Sequence, residues 1–399
     1  MNKTIGGILL VAGTTIGGGM LSLPITTAKS GFLYSSLLFI TCWALMTFTA
    51  FLTLEVNLCF PRNSHMVSMA KHTLGKPGEF ISWTAYLLLL YAIVSAYIAG
   101  GQDVFQGLLQ SLGIQAPAAL CGIAFVLLFG SVVTQGVRKV DLLNRVLMLV
   151  KLGSIFSLIF FIGMHANPAN YIQGKASFVL SATSVAILSF SFSPLIPTLR
   201  TYFNDDVKQL RWVIFVGTIL PLVCYIGWNA AIFGSVPLSG SFGLERLIQH
   251  HQPITGLLQS LQYHVPSAKV ALIAKVFTSI CILTAFISVT LSLSDYLADG
   301  FKIAKSGWNN IFIMGMTFLP PLCVAIFYPR AFIFFLSFAG LCCIFMFALI
   351  PSLMAWVCRY KKDIPMSYQV SGGKILLIGT IVLSLIISGL IGYELLAGL

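Results

Sequence analysis

The sequence predicts an all-α integral membrane fold of eleven transmembrane helices, built as two inverted sets of five plus one, with the first and sixth helices broken. Three observations lead there. The 399 residues are 58% hydrophobic and 9% charged, with a mean hydropathy of +0.95, whereas a soluble domain carries roughly a quarter charged residues. Apolar runs of about twenty residues, the length that crosses a bilayer, recur along the whole chain. Two of these runs are interrupted half a chain apart. One holds Gly13, Thr14, Thr15, Ile16, Gly17, Gly18 and Gly19 with Pro24 beyond them, and the other holds Ser189, Phe190, Ser191, Phe192, Ser193 and Pro194.

In order, the spans fall at roughly 5 to 28, 32 to 59, 81 to 109, 117 to 134, 142 to 164, 178 to 202, 211 to 234, 268 to 297, 309 to 328, 331 to 358 and 374 to 397. Met1, Asn2, Lys3 and Thr4 lead straight into the first without a small-residue cleavage site, as an uncleaved helix does and a signal peptide does not. Sixteen of the Lys and Arg residues fall in segments on the N-terminal side, among them Arg62, Lys71, Arg138, Lys139, Arg145, Arg200, Arg359 and Lys362. Five fall on the other side: Lys29, Lys175, Arg246, Lys269 and Arg330. That bias places the N-terminus in the cytoplasm and the C-terminus outside. The net charge of +12 therefore orients the chain and implies no nucleic-acid partner.

An odd number of spans per set makes the second set enter from the opposite face, so the sets are inverted and the two broken helices are their first members. The chain, 1–399, is then one transmembrane domain, with a first repeat at about 4–164, a second at about 178–358 and an additional helix at about 374–397. The segment 235 to 267 carries Leu244, Leu247, Leu257, Leu258 and Leu261 at helical spacing and predicts a helical lid over the outer mouth. His250 and His251 within it are expected to be ordinary solvated histidines. The nine cysteines lie in or beside apolar runs with no CxxC, as small apolar residues rather than a disulfide or metal framework.

Loosened peptide groups at membrane depth are tolerated only where they line a protein cavity, so the breaks mark a binding site. They offer both halves of what a zwitterion needs. Gly18 and Gly19 present N–H groups with the positive end of a half-helix behind them. Carbonyls at Gly13, Thr14 and Ile16, and at Ser189 and Phe190, can accept from an ammonium. A glycine-rich helix-packing face is the alternative; a second, matched break favours the site. Lys151 lies about nine residues into the fifth span, roughly 13 Å deep, and a charge there is functional by default. It either cycles a proton, stands in for a bound cation, or neutralises carbonyls without changing charge. Asp103 and Lys275 sit at similar depth, roughly 10 Å from the outer ends of their spans, and are expected to pair. Glu55, near the inner end of the second span, is expected to meet a basic residue or water.

Further motifs carry a resemblance. Ala12 through Leu21 followed by Pro24, Glu55-Val56-Asn57, Asn144-Arg145-Val146-Leu147 with Lys151, and Asp295-Tyr296-Leu297-Ala298-Asp299 together resemble the hydroxy and aromatic amino acid permease family, particularly its bacterial tyrosine-specific members. The resemblance spans essentially the whole chain. It implies a LeuT-like inverted-repeat fold in the bacterial inner membrane and proton-coupled symport of tyrosine or a related aromatic amino acid. Neither enzymatic activity nor a cofactor or metal is implied. Related proton-coupled permeases place a fifth-span lysine where others bind sodium, and Lys151 matches it. Thr284 matches one hydroxyl of the sodium site, while Ala285 stands in place of the other. The second break has Ser191 and Ser193 where a glycine and often a histidine occur, leaving a permease for serine, threonine or another small neutral amino acid as the rival. Phe190 and Phe192 offer surfaces for a ring. A channel or membrane sensor, the alternative of another class, has no use for two matched breaks.

Overall fold

Every regular element among the described residues is helical. The computed structural model describes residues 3–397 except 63, 135, 136, 241, 250–252, 329, 330, 363, 365 and 366, and only the backbone of 137–146, 248, 249 and 331. His250 and His251 thus fall outside the described residues. The first half of the chain comprises α1 (Lys3–Thr15), α2 (Gly19–Thr26), α3 (Gly31–Leu58), α4 (Met66–Ser111), α5 (Ala118–Thr134) and α6 (Val137–Gly163). The second comprises α7 (Val179–Ser189), α8 (Ile196–Tyr202), α9 (Val207–Ser235), α10 (Leu244–Gln249), α11 (Pro253–His264), α12 (Ala268–Phe301), α13 (Gly307–Phe327), α14 (Ala331–Ile344), α15 (Ile350–Tyr360) and α16 (Gly373–Ala397). Eight described helical stretches are long and apolar enough to cross a membrane, residues 176–202 (α7 and α8) and 332–360 (α14 and α15) each counted as one, or nine with α1 and α2 as one span bent by 52°; α5 and residues 147–163 are shorter apolar helices. In lipid, only such internally bonded segments satisfy their own backbone.

Three elements depart from plain spans. α4 begins well before its apolar run and bends at Gly75, whose φ of 76° suits glycine, just ahead of Pro77. α14 runs into α15 through a π-helical turn, Phe345–Leu349, a local widening common at functional sites. The segment 235 to 267 is helical as expected, in α10 and α11, with α11 packed on α4 and α12.

Contacts sort the helix ends onto two faces. On the N-terminal face, buried Arg200 at the end of α8 donates to the carbonyls of Asn57 and Phe60 and pairs with Asp205 at 2.5 Å. Asn204 and Asp205 take the left-handed conformation in the tight turn to α9, which their short polar side chains tolerate. The Asp205 carboxyl is held below the usual aspartate range, chiefly by its hydrogen bond from Arg200 and also by Arg62. This exposed clamp contributes stability above the ordinary aspartate range and loses it as pH falls through the lowered value. On the opposite face, Lys175 donates its backbone N–H to Lys29 at 3.0 Å. α7 therefore starts where α2 ends, and the two broken pairs run in opposite directions.

Glu55 of α3 meets Arg359 of α15 in a two-point pair, Nε to Oε1 at 2.6 Å and Nη2 to Oε2 at 2.5 Å, both side chains being buried. The backbone N–H of Val370 donates to the same carboxylate at 2.7 Å. Glu55→Gln strands the guanidinium and is expected to cost about 3–5 kcal/mol, read as a lowered Tm in detergent. The double variant Glu55→Gln, Arg359→Met should recover part of that loss.

Candidate functional site: the two helix breaks

The first break is best understood by asking where its loosened peptide groups go, since each needs a partner away from water. The last α1 bond joins Ile16 N–H to Ala12 at 2.8 Å; α2 opens with Met20 to Gly17 and Leu21 to Gly18, each 3.2 Å. The freed carbonyls are taken by two side chains from other helices, and a third, Tyr97, faces the N–H groups that open α2. Lys151, near the middle of α6 and 2% exposed, donates to Ile16 O at 2.6 Å and Gly13 O at 3.5 Å. Tyr225 of α9 sets its hydroxyl 2.7 Å from Thr15 O and 2.9 Å from Ser189 O, bridging the two breaks. The Tyr97 hydroxyl of α4 faces the backbone of Gly18 and Gly19, and its ring lies over Gly18 so closely that a Cβ there would sit 2.4 Å from Cε1. A Cβ on Gly19 would meet Ser189 Oγ at 3.0 Å, so the breaks touch.

This placement changes several expectations. In this conformation the Gly13 and Ile16 carbonyls serve Lys151 rather than standing open for an ammonium. Thr14 is exposed, and its hydroxyl bonds Leu10 O in its own helix, as Thr15 bonds Val11 O at 2.7 Å. The Ser189 and Ser191 hydroxyls likewise turn back to Val185 O (2.8 Å) and Leu188 O (2.6 Å). Ser193 Oγ is buried with no hydrogen-bond partner among the described residues. Phe190 packs edge-on against Tyr225 at 5.1 Å, while Phe192 joins a separate cluster with Ala50 and Leu54. Thr284 bonds Ile280 O at 2.8 Å within α12, and it is Cys281, a turn away, that lies near the Lys151 ammonium.

Asp103 and Lys275 do not pair. The Asp103 carboxylate faces the start of α11, accepting from Ile254 N–H at 2.9 Å, Thr255 N–H at 3.3 Å and the Thr255 hydroxyl at 2.5 Å. Equal depth did not decide the partner; the open N–H groups of a helix start are a better match for a carboxylate. Lys275 instead lines a cavity of about 340 Å³ between α11, α4 and α12. Asp103→Asn weakens a charge-to-helix contact worth about 1–2 kcal/mol, so amide hydrogen exchange across Pro253–His264 is expected to quicken roughly tenfold with α12 unchanged.

Tyr97 and Tyr225 escaped the sequence reading. The signal was present, because a phenol within an apolar span needs a partner for its hydroxyl, but nothing in the sequence names that partner. Asn229, fully buried one turn beyond Tyr225 and donating to Thr27 Oγ1 at 3.0 Å, belongs with them.

A polytopic helical membrane protein whose oppositely directed broken helices meet around a buried lysine is a solute permease, not an enzyme. The chain belongs to the tryptophan/tyrosine permease family, a bacterial family of multi-pass membrane proteins that it matches over residues 1–391. It is 33% identical to the tyrosine-specific transport system 2 of Haemophilus influenzae, covering 97% of this chain and 95% of that protein. It is 32% identical to tyrosine-specific transport system 1 of the same organism (98% and 96%) and 31% identical to its tryptophan-specific transport protein (95% and 93%).

Proposed function

We propose that the chain is a proton-coupled symporter that takes up tyrosine, or a related aromatic amino acid, across the bacterial inner membrane by alternating access. On this reading eleven helices cross the bilayer, with α1–α6 and α7–α15 as inverted repeats, the N-terminus cytoplasmic and the C-terminus periplasmic. The observation that carries it is the convergence of Lys151, Tyr225 and Tyr97 on the backbone of the first break. Substrate carboxylate takes the Gly18 and Gly19 N–H groups when the Tyr97 hydroxyl withdraws. The ammonium takes carbonyls at the second break, Ser189 and Phe190. The Lys151 ammonium ties α1 to α6, and loss of its proton releases that tie so that one gate can open.

If Tyr97 competes with the carboxylate for the same donors, Tyr97→Phe removes a polar competitor worth about 1 kcal/mol. The tyrosine concentration for half-maximal uptake is then expected to fall about fivefold. An unchanged or raised value would contradict the competition. Serines at 189, 191 and 193 in the second break favour a second reading, a permease for small neutral amino acids. Competition of labelled tyrosine uptake by unlabelled tyrosine, tryptophan, serine and threonine separates the two.

A further inference from the structure

A cavity of about 430 Å³ lies on the N-terminal face between α4, α12 and the second break, within the roughly 300–1,000 Å³ typical of small-molecule pockets. His65, Asp295, Asp299 and Pro194 are exposed along it, and Ser193 is its buried polar residue. Its wall is aromatic and held in place. Trp83 stacks on Tyr296 at 6.0 Å, Tyr86 stands edge-on to Tyr296 at 5.0 Å and to Phe347 at 6.5 Å, and the Tyr296 hydroxyl donates to Trp83 O at 3.0 Å. Phe347 enters from the π turn, which rotates that part of the helix relative to a regular continuation.

Two groups in this cavity lack partners. Ser193 is 1% exposed, and its hydroxyl has no hydrogen bond among the described residues, a buried polar atom that calls for an explanation. Asp299 lies in the last turn of α12, beside the negative end of the helix, where a carboxylate is disfavoured. Asp295 is matched by Lys305 at 2.5 Å, but no ion pair joins Asp299 to a cation among the described residues. An aromatic wall, an exposed carboxylate with no ion-pair partner among the described residues and a buried unpaired hydroxyl fit an aromatic ammonium compound whose ring carries a hydroxyl.

We propose that this cavity is a second substrate subsite on the N-terminal face, holding an aromatic amino acid with its ring on Trp83, Tyr86 and Phe347, its ammonium at Asp299 and its phenol at Ser193. It rests on the permease reading above and adds a site where substrate pauses between the breaks and the aqueous phase. No group in it replaces the Gly18 and Gly19 N–H donors, so it does not require a carboxylate.

The test uses right-side-out and inside-out membrane vesicles, so that each face is presented in turn, and an impermeant aromatic cation, the trimethylammonium derivative of tyramine. With unaltered protein, this probe is expected to inhibit tyrosine flux at least about fivefold more strongly from the N-terminal face than from the other. Asp299→Asn should weaken that inhibition about fivefold and raise half-saturation by tyrosine from the same face, with the opposite face within about twofold. Trp83→Phe should keep most of the effect and Trp83→Ala lose it. Equal inhibition from both faces, or inhibition untouched by Asp299→Asn and Trp83→Ala, overturns the subsite. Absence of tyrosine flux from either face in the unaltered protein sinks the tyrosine-transport reading instead.

Discussion

Lys151→Gln is expected to abolish uphill tyrosine uptake driven by a pH gradient, while leaving membrane insertion intact and downhill exchange measurable. Glutamine keeps much of the length and can still donate to Ile16 O and Gly13 O, which Lys151 reaches at 2.6 and 3.5 Å, but it carries no proton that can be released. A charged side chain at mid-membrane costs about 2.5–3.5 kcal/mol on insertion scales, so retaining one calls for a role in which charge matters. Arginine should fail too, because it holds its proton at any relevant pH. The Gly13 carbonyl belongs to α1, the Ile16 carbonyl to the break that follows it and the lysine to α6, so the protonated side chain joins a broken helix to an unbroken one. Release of that contact is a discrete event, as a gate requires. A Lys151→Gln protein that still concentrates tyrosine in response to a proton gradient contradicts this mechanism.

Substitution at Gly19 should give a graded loss. A Cβ there meets Ser189 Oγ at 3.0 Å, close enough that the hydroxyl must turn aside, so Gly19→Ala should reduce uptake a few-fold and Ser189→Gly should restore part of it. Valine adds two methyl groups at the same contact. It should drive α2 from α7 and eliminate transport, with normal amounts of protein in the membrane. Overpacking of a close contact typically costs about 1–3 kcal/mol, enough to shift an equilibrium between conformations about tenfold or more. Uptake by the valine variant at the parental rate would place the carboxylate anchor elsewhere.

The fold was readable in the sequence wherever lipid imposes it. Apolar length set the long spans, glycine marked the first break and serine with proline the second, because a backbone in hydrocarbon has few ways to be satisfied. The helix α11 was readable from the spacing of Leu257 and Leu261, both buried in it. Lys151 was readable as an anomaly of depth. Partners were harder. Asp103 and Lys275 share a depth, but depth leaves the azimuth of each helix open, and the Asp103 carboxylate found the start of α11. Thr284 was chosen by resemblance, yet its hydroxyl turns back into its own helix, as threonines in helices often do. Tyr97 and Tyr225 act through hydroxyls at the tips of long side chains, and which backbone groups those tips reach depends on packing between α4, α9 and the breaks.

The central claim is that a proton gradient drives an aromatic amino acid uphill through the site where the two breaks meet. Its most direct measurement is tyrosine accumulation in sodium-free proteoliposomes containing the purified protein, with the outside acidified. The expected result is transient accumulation above the external concentration, collapsing when a protonophore is added and absent with Lys151→Gln. Accumulation that requires sodium, or equilibration that never exceeds the external concentration whatever the imposed gradient, would contradict it.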